Sequence, residues 1–242
     1  MKRLDILGIH VDKVTKEEAL NTFKKLIASD GCQMIITPNS EIVMSATKDH
    51  HLRTIINDAD MVIPDGIGLV YASRIIGQPL RERVTGIDFL ESALNYLNQI
   101  KGSIFLLGSK PGVANKAAEK MKEKYPDLLI SGTYHGYFGE GDEETVIQMI
   151  NDARPDFLCV ALGSPKQEKM VKKYQEQLKA KAAIGIGGSL DVWAGELKRA
   201  PKFYQDYGLE WLYRLIQQPS RYKRMAALPA FILKVFFRRN KK

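Results

Sequence analysis

Residues 157–168 read FLCVALGSPKQE, and this stretch shows in one place the pattern that decides the fold. Six apolar residues end at Leu162, two small residues follow, and Pro165 suits the first turn of a helix. The stretch therefore predicts a strand, a short turn and a helix in succession, with Gln167 in the first helical turn.

Short apolar runs of the same kind recur along the chain, separated mostly by segments whose apolar residues lie three and four positions apart. Alternating strands and helices predict an α/β fold with a mainly parallel, Rossmann-like sheet flanked by helices. Thr15 with Glu18, and Thr85 with Asp88, have the spacing of helix-capping pairs. The predicted strands are residues 4–9, 33–37, 61–64, 103–107, 128–132, 157–162 and 182–186.

The composition excludes several classes of protein. With 242 residues, of which 45% are hydrophobic and 26% charged, the chain is too apolar to be disordered and too long for a disulfide-stapled miniprotein. No apolar run reaches the roughly 18 residues of a membrane-spanning helix, and residues 1–5 do not resemble a secretory signal. We therefore expect a cytoplasmic protein in which Cys32 and Cys159 are buried free thiols.

The positive charge is concentrated at the C-terminal end. The net charge is +8, and residues 196–242 contain twelve Lys or Arg against three acidic residues, so residues 1–195 are close to neutral. We expect an α/β core over residues 1–195 and a basic helical appendage over residues 196–242. A basic segment beside a neutral core is typical of proteins with a polyanionic partner, either nucleic acid or an anionic membrane.

The appendage is predicted to form two helices, residues 202–217 and 220–239, broken at Gln218-Pro219. The second helix has an apolar stripe beside basic residues, which favours a position in the interface of an anionic membrane. The alternative is a helix packed on the core with a solvated basic face. Nucleic acid is disfavoured because no aromatic stacking platform accompanies the charge. The stripe comprises Leu228, Phe231, Ile232, Val235 and Phe236, and the basic residues are Arg221, Lys223, Arg224, Lys234, Arg238 and Arg239.

Polar and glycine-rich segments follow five of the predicted strands. The carboxyl ends of parallel strands meet at one edge of the sheet, and ligands of open α/β sheets bind at that edge. The helices that follow present free N–H groups, which favour an anion such as a diphosphate. The segments are residues 37–41, 64–68, 108–112, 163–168 and 187–191.

Asp65 is a candidate catalytic residue in these segments. It follows the apolar run 61–64 and precedes Gly66, so its carboxylate is expected at the ligand edge, in a position to take a proton from a sugar hydroxyl. An Asp at its ordinary pKa of about 3.9 is ionised at neutral pH. Capping of the next helix is the alternative role for Asp65, and Thr37 and Asn39 have the same two alternatives. Gln167 is placed to bond either a ligand or its own loop.

No metal site is predicted. Asp58 and Asp60 have the Asp-x-Asp spacing, but they precede a strand and are expected at the opposite edge of the sheet. The four histidines lack the spacing of a zinc site. Without a metal, a departing diphosphate requires cations from the protein, and guanidinium groups bind phosphate oxygens in pairs. The candidates are Arg83, Arg214, Arg221 and Arg224.

Taken together, several segments resemble one family. Residues 37–41 (TPNSE), 65–68 (DGIG), 81–86 (RERVTG), 163–168 (GSPKQE) and 187–189 (GGS) resemble, in order and spacing, the WecG/TagA/CpsF glycosyltransferase family. Residues 200–201 (AP) and 208–214 (GLEWLYR) extend the resemblance into the appendage. The joint pattern covers most of the chain and is far more specific than any of its parts.

The resemblance implies an inverting, metal-independent transfer of N-acetylmannosamine from UDP-N-acetylmannosamine to undecaprenyl-diphosphate-linked N-acetylglucosamine, as in wall teichoic acid synthesis. Asp65 would be the base, and Arg83 and the appendage arginines would face the diphosphate. Because the polyprenyl chain of the acceptor stays in the bilayer, the appendage is expected to dock on the inner face of the plasma membrane and to close over the site as a lid. Sugar and acceptor contacts are implied for Thr37, Asn39 and Gln167, and nucleotide contacts for Gly187, Gly188 and Ser189.

Other functions stay open at the level of the sequence. The strand–helix pattern alone also suits a nucleotide-dependent oxidoreductase, although residues 185–190 lack the last glycine of the dinucleotide fingerprint. A noncatalytic sensor of nucleotide sugars would keep the glycines and need no base. Another UDP-aminosugar, such as the N-acetylmannosaminuronate donor, would suit the same fold. The exposed apolar appendage would also allow a homo-oligomer away from the membrane, so the oligomeric state stays open.

Overall fold

A six-stranded sheet, in which all neighbouring strands are parallel, lies between two layers of helices and gives the chain a Rossmann-like α/β fold. The computed structural model describes residues 2–219, 222 and 227–239. The strands are β1 (Arg3–Ile6), β2 (Ile9–Asp12), β3 (Gln33–Ile36), β4 (Met61–Val62), β5 (Ser103–Gly108), β6 (Leu129–Tyr134), β7 (Phe157–Ala161) and β8 (Ala182–Gly185). The order across the large sheet is β4-β3-β8-β7-β5-β6.

The first predicted strand, residues 4–9, is wrong as a single element. The chain reverses at Leu7 and Gly8, which have positive φ angles of 57° and 89°, so β1 and β2 form a separate antiparallel hairpin. The Gly8 N–H donates to the Asp5 carboxylate at 2.7 Å and closes the turn. Each of the other six predicted strands is confirmed within a few residues.

Helices cover both faces of the sheet. The predicted capping box is confirmed at Thr15 and Glu18, and the Thr85 hydroxyl accepts the Asp88 N–H at 3.2 Å at the start of the fifth helix. The helices are α1 (Lys16–Leu26), α2 (Ser40–Ala46), α3 (His50–Asp58), α4 (Ile67–Ile76), α5 (Gly86–Gln99), α6 (Val113–Lys124), α7 (Glu143–Ala153), α8 (Lys166–Tyr174), α9 (Ser189–Ala194), α10 (Lys202–Asp206), α11 (Glu210–Gln217) and α12 (Ala227–Arg239), with one turn of 3-10 helix at Glu140–Asp142.

Alternate residues of each strand enter two separate apolar cores. Leu158 and Val160 of β7 pack into the core shared with the hairpin and α12, whereas Phe157 and Cys159 pack into the core shared with α1, α5 and α6. Cys32 and Cys159 are buried free thiols, as predicted. Burial raises the pKa of Cys32 to about 12 and raises that of Cys159 in the same direction.

The appendage differs from its prediction at Gly208. A φ of 70° at this glycine ends α10 and redirects the chain into α11, so the predicted helix 202–217 is two helices. The predicted break at Gln218-Pro219 is confirmed because α11 ends at Gln217. The predicted helix 220–239 is described only for its later part, since residues 220, 221 and 223–226 lie outside the described residues.

The apolar stripe of α12 is divided between the core and solvent. Phe231 and Val235 are buried where α12 packs against α2 and α4, so for these two residues the packed alternative is the correct one. Phe236 is 48% exposed and Phe237 62% exposed. Nearby, Lys234 donates to the Thr47 hydroxyl at 2.9 Å and Arg238 pairs with Asp5 at 3.7 Å. Within the described ranges, no helix is both long enough and apolar enough to cross a bilayer.

Candidate active site

A cleft of about 650 Å³ lies at the carboxyl ends of the parallel strands. All five predicted loop segments contribute to it, which confirms that they share one edge of the sheet. The appendage supplies a further wall. The lining includes Thr37 and Asn39 after β3, Asp65 after β4, Ser109 after β5, Gln167 after β7, Gly187, Gly188 and Ser189 after β8, and Gly208, Glu210, Trp211, Arg214 and Leu228 from the appendage.

Asp65 lies in this cleft, where its backbone N–H donates to the Pro38 carbonyl at 3.0 Å. Burial raises the pKa of Asp65 to about 6, against the opposing effects of the Arg214 charge and of a hydrogen bond from the Gly86 N–H. Glu210 raises this pKa further and Arg83 lowers it. The assumption of an ordinary pKa is therefore wrong, but the carboxylate is still mostly ionised at neutral pH.

Arg83 connects the core with the appendage. One of its terminal nitrogens donates to the Gln205 carbonyl at 2.8 Å, and the other lies 3.5 Å from Glu210 Oε2. Both side chains of this ion pair are largely buried, with 20% and 18% of their surface exposed. Arg83 therefore lines the cleft while it is paired with Glu210, a carboxylate of the appendage.

Of the predicted appendage arginines, Arg214 lines the cleft and lies close enough to Asp65 for its charge to lower the pKa of that carboxyl. Arg221 and Arg224 lie outside the described residues. The structure therefore brings two of the four predicted arginines, Arg83 and Arg214, to one site with Asp65.

Thr37 and Asn39 contact neighbouring backbone as well as the cleft. The Thr37 hydroxyl is 3.5 Å from the Gly185 carbonyl, and a Cβ at Gly86 would lie only 3.1 Å from the same hydroxyl. Asn39 caps α2, because its Oδ1 accepts the Ile42 N–H at 3.0 Å. The capping alternative thus holds for Asn39, and the cleft still borders its side chain.

Gln167 lies in the first turn of α8, as predicted, and is 5% exposed. Its Nε2 donates to Glu168 Oε1 at 2.9 Å. Gly187 adopts a positive φ of 44°, which turns the chain from β8 towards Ser189 at the start of α9. Gln167, Gly187 and Ser189 all line the cleft, and we refer to them as its floor.

Several lining residues were not predicted individually. Ser109 donates to Asp191 Oδ1 at 2.5 Å, which joins the loop after β5 to α9. The rule that located Asp65 also applies to Ser109 and Asp191, since each follows a strand of the sheet. Glu210 gives no such local signal, because it reaches the site through a pairing with Arg83 that spans 127 positions.

The Asp-x-Asp pair lies away from the cleft. Asp60 Oδ2 accepts the Met34 N–H at 2.7 Å beside the amino ends of β3 and β4, which confirms the expected opposite edge. In the described part of the chain, His, Cys, Asp and Glu side chains form no group of three or more with the geometry to hold a metal ion.

Comparison with known proteins gives a consistent result. The family described as glycosyl transferase WecG/TagA/CpsF matches residues 4–242. An N-acetylglucosaminyldiphosphoundecaprenol N-acetyl-beta-D-mannosaminyltransferase of Bacillus spizizenii is 37% identical over 201 residues, which are 83% of this chain and 77% of the relative. A protein of the same name from Staphylococcus aureus is 33% identical over 235 residues, which are 96% and 92% of the two chains. The chain therefore belongs to the WecG/TagA/CpsF family of glycosyltransferases.

Proposed function

We propose that this glycosyltransferase moves N-acetylmannosamine from UDP-N-acetylmannosamine to undecaprenyl-diphosphate-linked N-acetylglucosamine, with inversion and a β-1,4 linkage, in wall teichoic acid synthesis. The names of the two relatives support the transferred sugar and the acceptor. The observation that carries the chemistry is Asp65, a carboxylate in the cleft with a pKa of about 6 and with Arg214 near it.

Asp65 is the general base in this proposal. The acceptor hydroxyl oxygen bonds to the anomeric carbon and its proton passes to Asp65, while the bond from that carbon to the UDP oxygen breaks and its electron pair leaves with the diphosphate. A single displacement of this kind inverts the anomeric centre. A carboxylate with a pKa slightly below the working pH is mostly deprotonated and is still a stronger base than an ordinary Asp.

The departing diphosphate is stabilised by guanidinium groups instead of a divalent ion. Arg214 faces the cleft from α11, and Arg83 lies at the contact between the core and the appendage. Guanidinium groups bind phosphate oxygens in pairs, and they act most strongly where water is excluded. Arg221 and Arg224 are the further candidates for this role. Thr37, Asn39 and Gln167 position the sugar and the acceptor, and Gly187, Gly188 and Ser189 contact the nucleotide.

The appendage brings the enzyme to its lipid-linked acceptor at the inner face of the plasma membrane. Leu233, Phe236 and Phe237 are exposed on α12, and the segment that contains them is strongly basic. Because α11 and α12 also line the cleft, the surface that docks on lipid is continuous with the wall of the site. Docking and closure of the site are therefore coupled.

One assay tests the proposed reaction. Purified enzyme is given a lipid-linked acceptor analogue and a panel of UDP-aminosugars, with and without EDTA. We expect transfer from UDP-N-acetylmannosamine that EDTA leaves intact, while preference for a different UDP-aminosugar or a loss of transfer that a divalent ion restores would contradict the proposal.

Asp65→Asn and Asp58→Asn form a matched pair of variants for the same assay, because Asp58 is exposed and lies outside the cleft. Asp65→Asn should bind UDP like the wild type and lose transfer by at least about a hundredfold, within the range typical of a general base. Asp58→Asn should resemble the wild type. Full transfer by Asp65→Asn would remove Asp65 as the base.

A further inference from the structure

Gln167, which lines the cleft, and Glu168 form a buried polar pair. Their side chains belong to residues that are only 5% and 2% exposed. Gln167 Nε2 donates to Glu168 Oε1 at 2.9 Å. The second oxygen of each group, Gln167 Oε1 and Glu168 Oε2, is also buried and accepts no hydrogen bond of normal distance and angle from a described residue.

Two buried acceptors without a donor are unfavourable, and a single proton removes both defects. If Glu168 Oε2 carries the proton, it becomes a donor, and Gln167 Oε1 is a buried acceptor that lacks one on the side chain that Glu168 already contacts. Exchange of the amide nitrogen and oxygen of Gln167 does not remove this need, because Glu168 would then have to donate to the amide oxygen at 2.9 Å. In either orientation of the Gln167 amide, the protonated form of Glu168 supplies the missing hydrogen-bond donor.

The surroundings of Glu168 favour the neutral acid. Burial raises the pKa of Glu168, and this effect outweighs the hydrogen bonds from Gln167, the Glu168 N–H and Ser164, which lower it. The cations of α8 are engaged elsewhere, and no described residue forms an ion pair with Glu168. Lys169 pairs with Asp49 of the α3 cap, Lys173 pairs with Glu143 of α7, Lys166 lies over the Phe138 ring and Lys172 bonds Gln175.

Gln167 is also confined by the neighbouring strand. A Cβ at Gly185 in β8 would lie 2.3 Å from Gln167 Nε2, so the amide rests against bare backbone. The carbonyl of the same Gly185 is 3.5 Å from the Thr37 hydroxyl in the cleft. A series of contacts thus leads from the interior to the cleft, through Glu168, Gln167, Gly185 and Thr37 in that order.

We propose that Glu168 is a positioning residue: as a neutral acid, it holds Gln167 in a two-bond acid–amide pair and thereby fixes the cleft floor on which the sugar is bound. The kinetic part of this inference rests on the proposed function, whereas the acid–amide pair itself does not. Glu168 needs no contact with the substrate, and it places no negative charge beneath a dianionic diphosphate.

Two substitutions separate the hydrogen bonds from the charge. Glu168→Gln places an N–H where the acid places its O–H, so it preserves both hydrogen bonds without any charge. Glu168→Met has a similar length and makes neither bond. Glu176→Met is the matched control, because Glu176 is exposed just beyond the end of α8.

We expect Glu168→Met to unfold several degrees below the wild type and to lower kcat/KM for UDP-N-acetylmannosamine on the order of tenfold to a hundredfold through misplacement of Gln167. Glu168→Gln should recover most of both losses, and Glu176→Met should match the wild type. At pH 8, where Asp65 is ionised, the infrared spectrum of the wild type should contain a buried carboxylic acid band that Glu168→Gln lacks.

Two results would overturn the proposal. Equal damage from Glu168→Gln and Glu168→Met, with no carboxylic acid band, would show that Glu168 acts as an anion. Wild-type stability and kinetics in Glu168→Met would show that the pair positions nothing. If the wild type transfers no UDP-aminosugar, the proposed function fails, but unfolding and infrared measurements still decide whether the acid–amide pair exists.

Discussion

The pKa of the Asp65 carboxylate is set by two opposing effects. Burial favours its neutral form, whereas Arg214, the Gly86 N–H and Arg83 favour its charged form. A surface Asp would be a weaker base, and a buried Asp without cations nearby would stay protonated at neutral pH. The pKa of about 6 therefore depends on α11, which carries both Arg214 and Glu210.

The pH dependence of transfer follows from this balance. We expect kcat/KM of the wild type to rise with pH through about 6 and then to level off, because only the deprotonated base is active. Arg214→Gln should move this limb to higher pH, since a cation that stabilises the carboxylate is lost. Glu210→Gln should move it to lower pH. A pH–rate profile of each variant measures the shift, and displacement of both limbs in the same direction would contradict this assignment.

Asp65 should also make the protein less stable. Because burial raises its folded pKa to about 6 from an ordinary 3.8, ionisation disfavours the folded state as pH rises from about 4 to 6, by up to about 3 kcal/mol above that range. Asp65→Asn should therefore unfold at a higher temperature than the wild type at pH 7. The difference should vanish below pH 4, where the wild type is neutral in both states. Equal stability of the two proteins at pH 7 would show that burial of the ionised Asp65 does not destabilise the folded state.

Sequence reasoning located single residues where their position follows from a strand. Thr37, Asp65 and Gln167 are found because each lies just after an apolar run, and such positions converge at one edge. Glu210 and its bond to Arg83 cannot be found in this way, since no local spacing relates residues so far apart in sequence. The raised pKa of Asp65 does not follow from local sequence either, because its causes include residues from distant segments.

Among the elements, α12 is buried on one face and exposed on another. Phe231 and Val235 enter the core beside α2 and α4, while Phe236 and Phe237 face solvent. The sequence shows that the helix is amphipathic and basic, but periodicity alone does not say whether lipid or protein covers the apolar face. Two other elements, the first predicted strand and the first appendage helix, end inside an apolar pattern because of a positive φ at Gly8 and at Gly208, so apolar periodicity does not predict their ends.

The two faces of α12 should respond differently to the loss of a Phe ring. Phe231→Ala removes a fully buried ring and should cost about 3 to 5 kcal/mol of unfolding free energy. Phe236→Ser should change that free energy by less than about 0.5 kcal/mol and should weaken binding to anionic vesicles. Denaturant unfolding and vesicle sedimentation test both expectations. Vesicle binding unchanged by Phe236→Ser would show that this face does not dock on lipid.

In the molecule as a whole, the change from neutral to basic sequence coincides with the change from core to appendage. The neutral core supplies five loops to the cleft, and the basic appendage supplies its remaining wall. The sequence predicts this division into core and appendage because composition changes at the boundary. It does not predict that the appendage packs on α2 and α4, since that depends on the shape of the core surface.

Association with membranes should therefore depend on charge as well as on apolar contact. We expect the protein to bind vesicles that contain anionic phospholipid and to bind neutral vesicles much more weakly, because each basic residue near an anionic surface contributes roughly 1 kcal/mol. Raising the salt concentration should weaken binding to the anionic vesicles through screening. Sedimentation at several salt concentrations measures both effects, and equal binding to neutral vesicles would contradict the electrostatic contribution.

Arg83 forms a hydrogen bond with Gln205 and an ion pair with Glu210, which lie 122 and 127 positions later in the chain. The ribosome therefore synthesises the partners of Arg83 well after Arg83 itself. Translation completes every strand of the described sheet before it reaches α11, so the loops that follow these strands are synthesised before the appendage residues that line the cleft. The last residues of the cleft lining are thus supplied by α11 and α12. A premature stop before α11 would remove Glu210 and Arg214 from the cleft, and it would also remove Phe231 and Val235 from the core.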